Sequence, residues 1–213
     1  MRAIDEAAIR TLGIPRLLLM DHAGLALARA VRALESPSSN PIGVCCGTGF
    51  NGGDGLAAAR HLHESGYPLR ILVAGALDRL TEEPAVFARI LRGLGCEVRE
   101  CASAEQAEAQ TPWLADCAVI IDAVLGIGVR GTLREPAASV IRAINRARKP
   151  VVSADVPSGL DGDTGRVLGE AVRAQVTVTF GLPKRGCLQA DGPAHVGQLL
   201  VDPITIPRIL LRP

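Results

Sequence analysis

Short apolar runs of strand length alternate along the chain with longer segments of helical length. Residues 42–46, 69–74, 96–100, 118–123, 150–154 and 176–180 read as strands, the last three richest in Val, Ile and Thr. Residues 198–201 read as a final edge strand, and residues 17–34, 53–65, 84–94, 104–114 and 136–146 as helices. The strands are apolar continuously rather than alternately, the mark of strands covered on both faces. The β-α-β-α order therefore predicts an α/β fold: a three-layer α/β/α sandwich around a Rossmann-like, mostly parallel sheet with right-handed crossovers. Residues 17–34 are apolar nearly all round, so this helix is expected to be buried in the monomer or to lie in a subunit contact. Residues 35–41 are only a loop, no internal repeat is visible, and residues 1–213 read as a single domain.

Composition narrows the function classes. With 48% hydrophobic and 21% charged residues, a chain of 213 residues can bury one sizeable core. Lys plus Arg number 23 and Asp plus Glu 22, a net charge of +1 that argues against coating nucleic acid or an anionic membrane. Aromatic residues are 2%, so stacking platforms for single-stranded nucleic acid are nearly absent. The six cysteines, at 45, 46, 96, 101, 117 and 187, form no C-x-x-C and read as thiols of a reducing compartment. The first ten residues carry Arg2, Asp5, Glu6 and Arg10 and no apolar core, so no signal peptide is read, and a cytoplasmic location is expected. The apolar runs are too short to span a bilayer.

In a doubly wound sheet, ligands bind at the carboxyl ends of the strands. After the first strand comes GTGFNGGDG, residues 47–55. Gly47, Gly49 and Gly52 fit G-x-G-x-x-G by spacing, and free N–H groups at a following helix start attract phosphate oxygens. A dehydrogenase of the usual kind would carry a carboxylate about 20 residues on for the ribose. Here the second strand ends Leu72-Val73-Ala74-Gly75-Ala76, without one. A Walker A loop fails too, since Gly53 and Asp54 stand where Lys and Ser or Thr belong.

Three more strand ends repeat the theme. The fourth strand runs into Asp122 and then DAVLGIGVRG, where a buried carboxylate must be paired, hydrogen-bonded or set on a cation, and Arg130 is within reach of a phosphate. The fifth ends DVPSGLDGDTG. Asp155 emerges there from an apolar strand whose desolvation suits it to proton transfer. Ser158 lies in no nucleophile elbow and has no histidine in these loops to activate it, so it is an oxygen ligand or a turn residue. Asp161 and Asp163 read as shaping the turn. The sixth ends FGLPKRG, with Lys184 placed to reach a phosphate or donate a proton. Together these loops predict one crevice carrying Asn51, Asp54, Asp122, Asp155, Ser158 and Lys184. The oxygen donors Asn51, Asp122 and Ser158 suit a hard cation rather than zinc, without selecting which.

The four loops resemble those of the NAD(P)H-hydrate epimerase family, the YjeF N-terminal domain. Its G-x-G-N-N-G-G-D-G is similar to residues 47–55, and its D-A-(L/I)-(F/L)-G-(T/I)-G-(L/V) to the start of DAVLGIGVRGTLREP, residues 122–136. DVPSGLDGDTG at 155–165 resembles the family's third motif, TVTFGLPKRG at 177–186 its fourth, and LMDHAG at 19–24 its N-terminal block. The resemblance covers about residues 1–200. It implies interconversion of the R and S epimers of hydrated NADH and NADPH, with a separate ADP- or ATP-dependent dehydratase as functional partner. It implies one potassium ion per subunit on Asn51, Asp122 and Ser158, and acid–base roles for Asp155 and Lys184. Substrate contacts carry over to Phe50, Asn51, Gly52, Gly53 and Asp54, to Gly126, Ile127, Gly128, Val129, Arg130, Gly131 and Thr132, and to Asp155. A homodimer is expected from the family habit; no membrane or nucleic-acid partner is.

This chain departs from the pattern at Phe50, which replaces the first Asn of the loop, at Ile127, where Thr is common, and at Asp21, where Glu or Asn is common. None of these is an inferred ion ligand. Residues 1–213 are expected not to include the dehydratase domain often fused after this one. A non-catalytic nucleotide- or RNA-binding scaffold of the same fold is the second reading; it requires lost site residues or an added basic surface. An ordinary NAD-linked oxidoreductase is the third, disfavoured by the missing ribose carboxylate.

Overall fold

Seven strands form one sheet in the order β3-β2-β1-β4-β5-β6-β7, and every neighbouring pair is parallel. The computed structural model describes residues 2–37, 39–129 and 131–211. The strands are β1 (Ile42–Cys46), β2 (Leu69–Ala74), β3 (Val98–Cys101), β4 (Val119–Ala123), β5 (Val151–Ala154), β6 (Val176–Phe180) and β7 (Gln198–Asp202). The sheet is wholly parallel, and the expected final edge strand is present one residue longer than read. From β1 the chain winds one way to β2 and β3; from β4 it winds the other way to β7. The crevice of a doubly wound sheet therefore opens where β1 and β4 part company.

The helices are α1 (Arg2–Glu6), α2 (Arg16–Leu34), α3 (Phe50–Glu64), α4 (Glu82–Gly93), α5 (Ala104–Glu108), α6 (Thr111–Ala115), α7 (Ala137–Ala147) and α8 (Gly192–Val196). The period-2 alternation of strand side chains splits the core in two. Ile42, Val44, Ile71, Val73, Ile121, Val152 and Val178 face α2, α3 and α4. Cys45, Leu72, Ile120 and Val151 face the opposite layer, with α5, α6 and α7. Helix α2 is buried within the chain itself, through Leu19, Met20, Ala23, Leu27 and Val31, and leaves Leu17 and Leu18 exposed. It crosses α3 closely: a Cβ on Gly24 would lie 2.5 Å from that of Ala57.

Two helix expectations need correction. The helix read at 104–114 is two short helices. In a continuous helix the Pro112 ring would meet the carbonyl four residues earlier, and α5 ends at that residue, Glu108. The helix read from residue 53 begins at Phe50, so Gly52 and Gly53 lie inside its first turn rather than in a loop. Tertiary contact overrides glycine's weak helical preference there. Among the described residues no helix is long and apolar enough to cross a membrane.

Candidate active site

A cavity of about 1010 Å³ lies over the carboxyl ends of the strands. That is the upper end of the ~300–1,000 Å³ typical of small-molecule sites. Its wall takes Gly47 to Asn51 and Asp54 from the first loop and helix start, Ala74 and Gly75 from the end of β2, Val124 to Val129 from the β4 loop, Asp155 beyond β5, and Phe180 and Lys184 beyond β6. No histidine or cysteine lines it among the described residues.

Backbone proximity builds the floor. A Cβ on Gly52 would lie 1.9 Å from the Gly47 carbonyl oxygen, and one on Gly47 would lie 2.0 Å from that of Val124. Only glycines let the first turn of α3 settle onto the ends of β1 and β4. Gly52 and Gly53 are therefore buried packing residues behind the cavity wall. Of the second loop, Gly126, Ile127, Gly128, Val129 and Thr132 line the cavity, Gly131 does not, and Arg130 lies outside the described residues.

Asp155 and Lys184 meet at the far wall. Asp155 adopts φ +65°, unusual for a residue with a Cβ, and its N–H is held by the Val178 carbonyl at 2.8 Å. That turn sends its carboxylate back toward β6. There Oδ1 accepts from Thr179 Oγ1 and the Phe180 N–H, both at 3.3 Å, and contacts Lys184 Nζ. Lys184 Nζ also donates to the Phe180 carbonyl at 2.7 Å. Asp155 is thus not a lone desolvated acid but half of a buried ion pair.

Four further carboxyls, Asp5, Glu6, Asp54 and Glu135, line this cavity. Burial pushes the Asp54 carboxyl well above its ordinary range; neighbouring Asp155 adds to the rise and Lys184 opposes it. Burial likewise raises Asp5, partly offset by Lys184. Asp5 and Glu6 come from α1, which no motif marked; only their acidic character in an otherwise unremarkable segment was visible in the sequence.

Asp122 lies deeper, behind the wall. It is fully buried, in register beside Cys45 on β1 and Ser153 on β5. Oδ2 accepts from Ser153 Oγ at 2.8 Å and from the Ser158 N–H at 2.9 Å, while Oδ1 accepts a long bond from the Val124 N–H at 3.4 Å. Burial raises its carboxyl, and the bonds from Ser158, Ser153 and Val124 pull it down. Ser158 Oγ accepts from the Leu125 N–H at 2.8 Å and donates to the Leu125 carbonyl at 3.2 Å, which ties the β5 loop to the β4 loop. Next along that loop, Gly126 abuts Asn51: a Cβ there would lie 3.2 Å from Asn51 Oδ1. Asn51 Nδ2 is buried without a hydrogen-bond partner. Of the three expected cation ligands, Ser158 is bonded to Leu125 and through its N–H to Asp122, while Asn51 abuts Gly126. Their donors are all oxygens, and among the described residues no cluster of three His, Cys, Asp or Glu offers a transition-metal site. Asp161 caps its own turn, accepting from the N–H groups of Asp163 and Thr164 at 2.9 and 2.8 Å.

Residues 16–186 match the family model described as YjeF-related protein N-terminus. A "Bifunctional NAD(P)H-hydrate repair enzyme Nnr" of Pyrobaculum aerophilum is 48% identical over 198 residues, covering 92% of this chain and 39% of that one. An "NAD(P)H-hydrate epimerase" of Limosilactobacillus fermentum is 40% identical over 201 residues, covering 94% of this chain and 92% of that one. The chain thus spans about two fifths of the bifunctional relatives it matches and nearly all of the single-function one. The crystal structure of yeast ynu0, YNL200c, superposes with a TM-score of 0.76 at 26% identity, covering 94% of this chain and 84% of that one.

Proposed function

The chain belongs to the family of YjeF-related N-terminal domains, and on that premise we propose that it epimerises hydrated NADH and NADPH at nicotinamide C6. We read residues 1–213 as one such domain, with its product passing to a separate dehydratase. The observation that carries the reading is the Asp155–Lys184 pair at the wall of a dinucleotide-sized cavity. The names of relatives at 48% and 40% identity support it.

Inversion at C6 requires the C–O bond to break and re-form on the other face. Lys184 and Asp155 supply a proton donor and a proton acceptor in contact. The ammonium protonates the departing hydroxyl, which leaves as water, and the C–O electrons leave with it. The ring nitrogen's lone pair sustains the resulting iminium-like cation. Once the flat cation has turned its other face to the pair, water adds there as the Asp155 carboxylate takes its proton, and transfer within the pair restores both groups. Such acid–base help is worth about 10²–10⁴-fold. Asp54, held toward its neutral form, limits the negative charge beside Asp155 and offers a hydrogen-bond donor.

Potassium, one per subunit, is the cation we assign to Asn51, Asp122 and Ser158. The all-oxygen donor set supports that fit, and among the described residues no cationic side chain pairs with Asp122. When bound there, the ion would supply a fixed positive charge beside the loops that hold the substrate. Phe50, Asn51 and Asp54, with Gly126, Ile127, Gly128, Val129 and Thr132, would frame the dinucleotide. A homodimer and a cytoplasmic setting complete the proposal, supported by the exposed Leu12, Leu17 and Leu18 and by the free cysteines.

The test is to supply mixed hydrated NADH epimers together with a dehydratase. The R epimer should be consumed much faster than its spontaneous interconversion allows. Consumption at the spontaneous rate rejects the assignment.

A further inference from the structure

One contact at the cavity mouth plays no part in the chemistry above. Arg16 opens α2 and Phe50 opens α3, and both line the cavity. The Arg16 Cζ lies 4.4 Å from the centroid of the Phe50 ring, whose side chain is otherwise half exposed. Arg16 Nε lies 3.3 Å from Glu83 Oε1, at the start of α4. The ring thus lies against the guanidinium carbon and Glu83 beside its Nε. The two terminal nitrogens make no hydrogen bond among the described residues. Asp5 feels the charge of Arg16 but forms no ion pair with it.

A guanidinium braced by a ring and a carboxylate keeps a planar fork of N–H donors, the shape that takes two phosphate oxygens at once. Its surroundings favour an anion. The first turn of α3 contains no acid, and its N-cap, Gly49, has no side chain to cap the free N–H groups. Arg79 and Arg134 line the same cavity, as do the acids Asp5, Glu6 and Glu135. The reactive pair, by contrast, stands at the ends of β5 and β6. From β1 to β6 is three strand spacings, about 14 Å across the sheet. A single ligand touching both ends must be long, with an anionic portion distant from its reacting ring.

We propose that Arg16 is the phosphate anchor of this site and that Phe50 is its positioning residue. A phosphate of the dinucleotide binds the Arg16 fork while the nicotinamide lies against Asp155 and Lys184. The inference rests on the dinucleotide reading above and adds to it a residue that sets substrate affinity. It also gives Phe50 a task, at the position where this chain departs from the resembled loop.

The experiment measures kcat and KM for the R epimers of hydrated NADH and NADPH, and the affinity for ADP-ribose, in wild type, Arg16→Ala, Arg16→Lys and Phe50→Leu. Thermal unfolding checks that each variant is folded. Arg16→Ala should raise KM about ten- to hundredfold with kcat nearly unchanged, the loss of one charge-assisted contact. Arg16→Lys should recover only part of that, because a point charge lacks the planar fork. Phe50→Leu should raise KM severalfold in the wild-type background and by clearly less in Arg16→Ala; an equal rise in both backgrounds would show that Phe50 does not act through Arg16. Equal losses with both substrates and with ADP-ribose assign the bridging diphosphate; a loss confined to hydrated NADPH assigns its 2′-phosphate. If Arg16→Ala stays within twofold of wild type for both substrates and ADP-ribose, the anchor is wrong. If wild type binds ADP-ribose but turns over neither hydrate, the epimerase reading fails, and the anchor is judged on ADP-ribose affinity alone.

Discussion

Lys184 and Asp155 form an ion pair inside the protein, with side-chain exposures of 6% and 11%. At that depth each charge depends on the other, because neither is hydrated well enough to stand alone. The same pair that fixes the end of β6 to the end of β5 faces the cavity and is free to exchange a proton with whatever fills it. Structure and chemistry are joined in one contact, and the two roles separate by mutation.

Asp155→Asn keeps the shape and one hydrogen-bond acceptor but cannot take a proton from water. Turnover is expected to fall by about 10²–10⁴-fold. ADP-ribose affinity, read by calorimetry, should stay within a few-fold of wild type. Unchanged turnover removes Asp155 from the mechanism.

Lys184→Met leaves the Asp155 carboxylate buried without its partner. Breaking such a pair costs about 3–5 kcal/mol. Denaturant unfolding should show a loss of that size for Lys184→Met and a smaller one for the double variant with Asp155→Asn. Additive losses in the double variant would mean that the two groups are not energetically coupled.

The strands at 42–46, 69–74 and 176–180 were legible to the residue, because short, mostly apolar runs bounded by glycine, proline or polar residues mark strands buried on both faces. The site residues on strand ends were legible for a related reason. A carboxylate within or directly after such a run, as with Asp122 and Asp155, costs too much to be accidental. The start of α3 was not legible, since Gly52 and Gly53 carry no helical signal and are made helical by the backbone packed beneath them. Asp5 and Glu6 were invisible as site residues: α1 has five residues and no periodicity, and only the folded chain brings it over the cavity. The Arg16–Phe50 stack joins residues 34 positions apart, and nothing in the sequence links them.

Asp54 makes stability depend on pH in a direction opposite to that of a salt-bridged carboxylate. Its folded-state pKa is raised well above the ordinary 3.8 by burial, with Asp155 adding and Lys184 opposing. Between the unfolded and folded values the native state holds a proton that the unfolded chain has released. The contribution is whole below about pH 3.8 and drains away as the pH climbs through the raised value. Each unit of elevation is worth about 1.4 kcal/mol, and each kcal/mol about 2–4 °C of Tm in a chain of this size. Asp54→Asn, which cannot ionise, should therefore raise Tm near pH 7 by several degrees more than near pH 4. An equal shift at both pH values would show that Asp54 ionises normally in the fold.

A cation on Asn51, Asp122 and Ser158 would bind the native state and not the unfolded chain, and so must stabilise it. Unfolding in potassium chloride should occur at a higher temperature than in tetramethylammonium chloride of equal ionic strength. Asn51→Ala, which removes an inferred ligand while leaving the hydrogen bonds of Asp122 intact, should erase most of that difference. Identical Tm values in the two salts for wild type would remove the ion from the site.

Gly52 and Gly49 test whether the cavity floor is set by backbone contact or merely by flexible glycine. Gly52 lies within α3, where replacing glycine by alanine ordinarily stabilises a helix by about 1 kcal/mol. Here the added methyl would lie 1.9 Å from the Gly47 carbonyl oxygen and 2.6 Å from its carbon. Backbone cannot rotate away as a side-chain tip can, so α3 must lift from the ends of β1 and β4. Gly52→Ala is therefore expected to lose about 1–3 kcal/mol of stability, as overpacked positions do, and to raise KM through displacement of Asn51 and Asp54 on the same turn. Gly49 is the matched control: its φ of −94° suits any residue, and a Cβ there meets nothing within 4 Å. Gly49→Ala should leave stability within about 0.5 kcal/mol of wild type. Denaturant unfolding of the two variants decides the matter, because helix propensity alone predicts a gain for Gly52→Ala and the close approach predicts a loss.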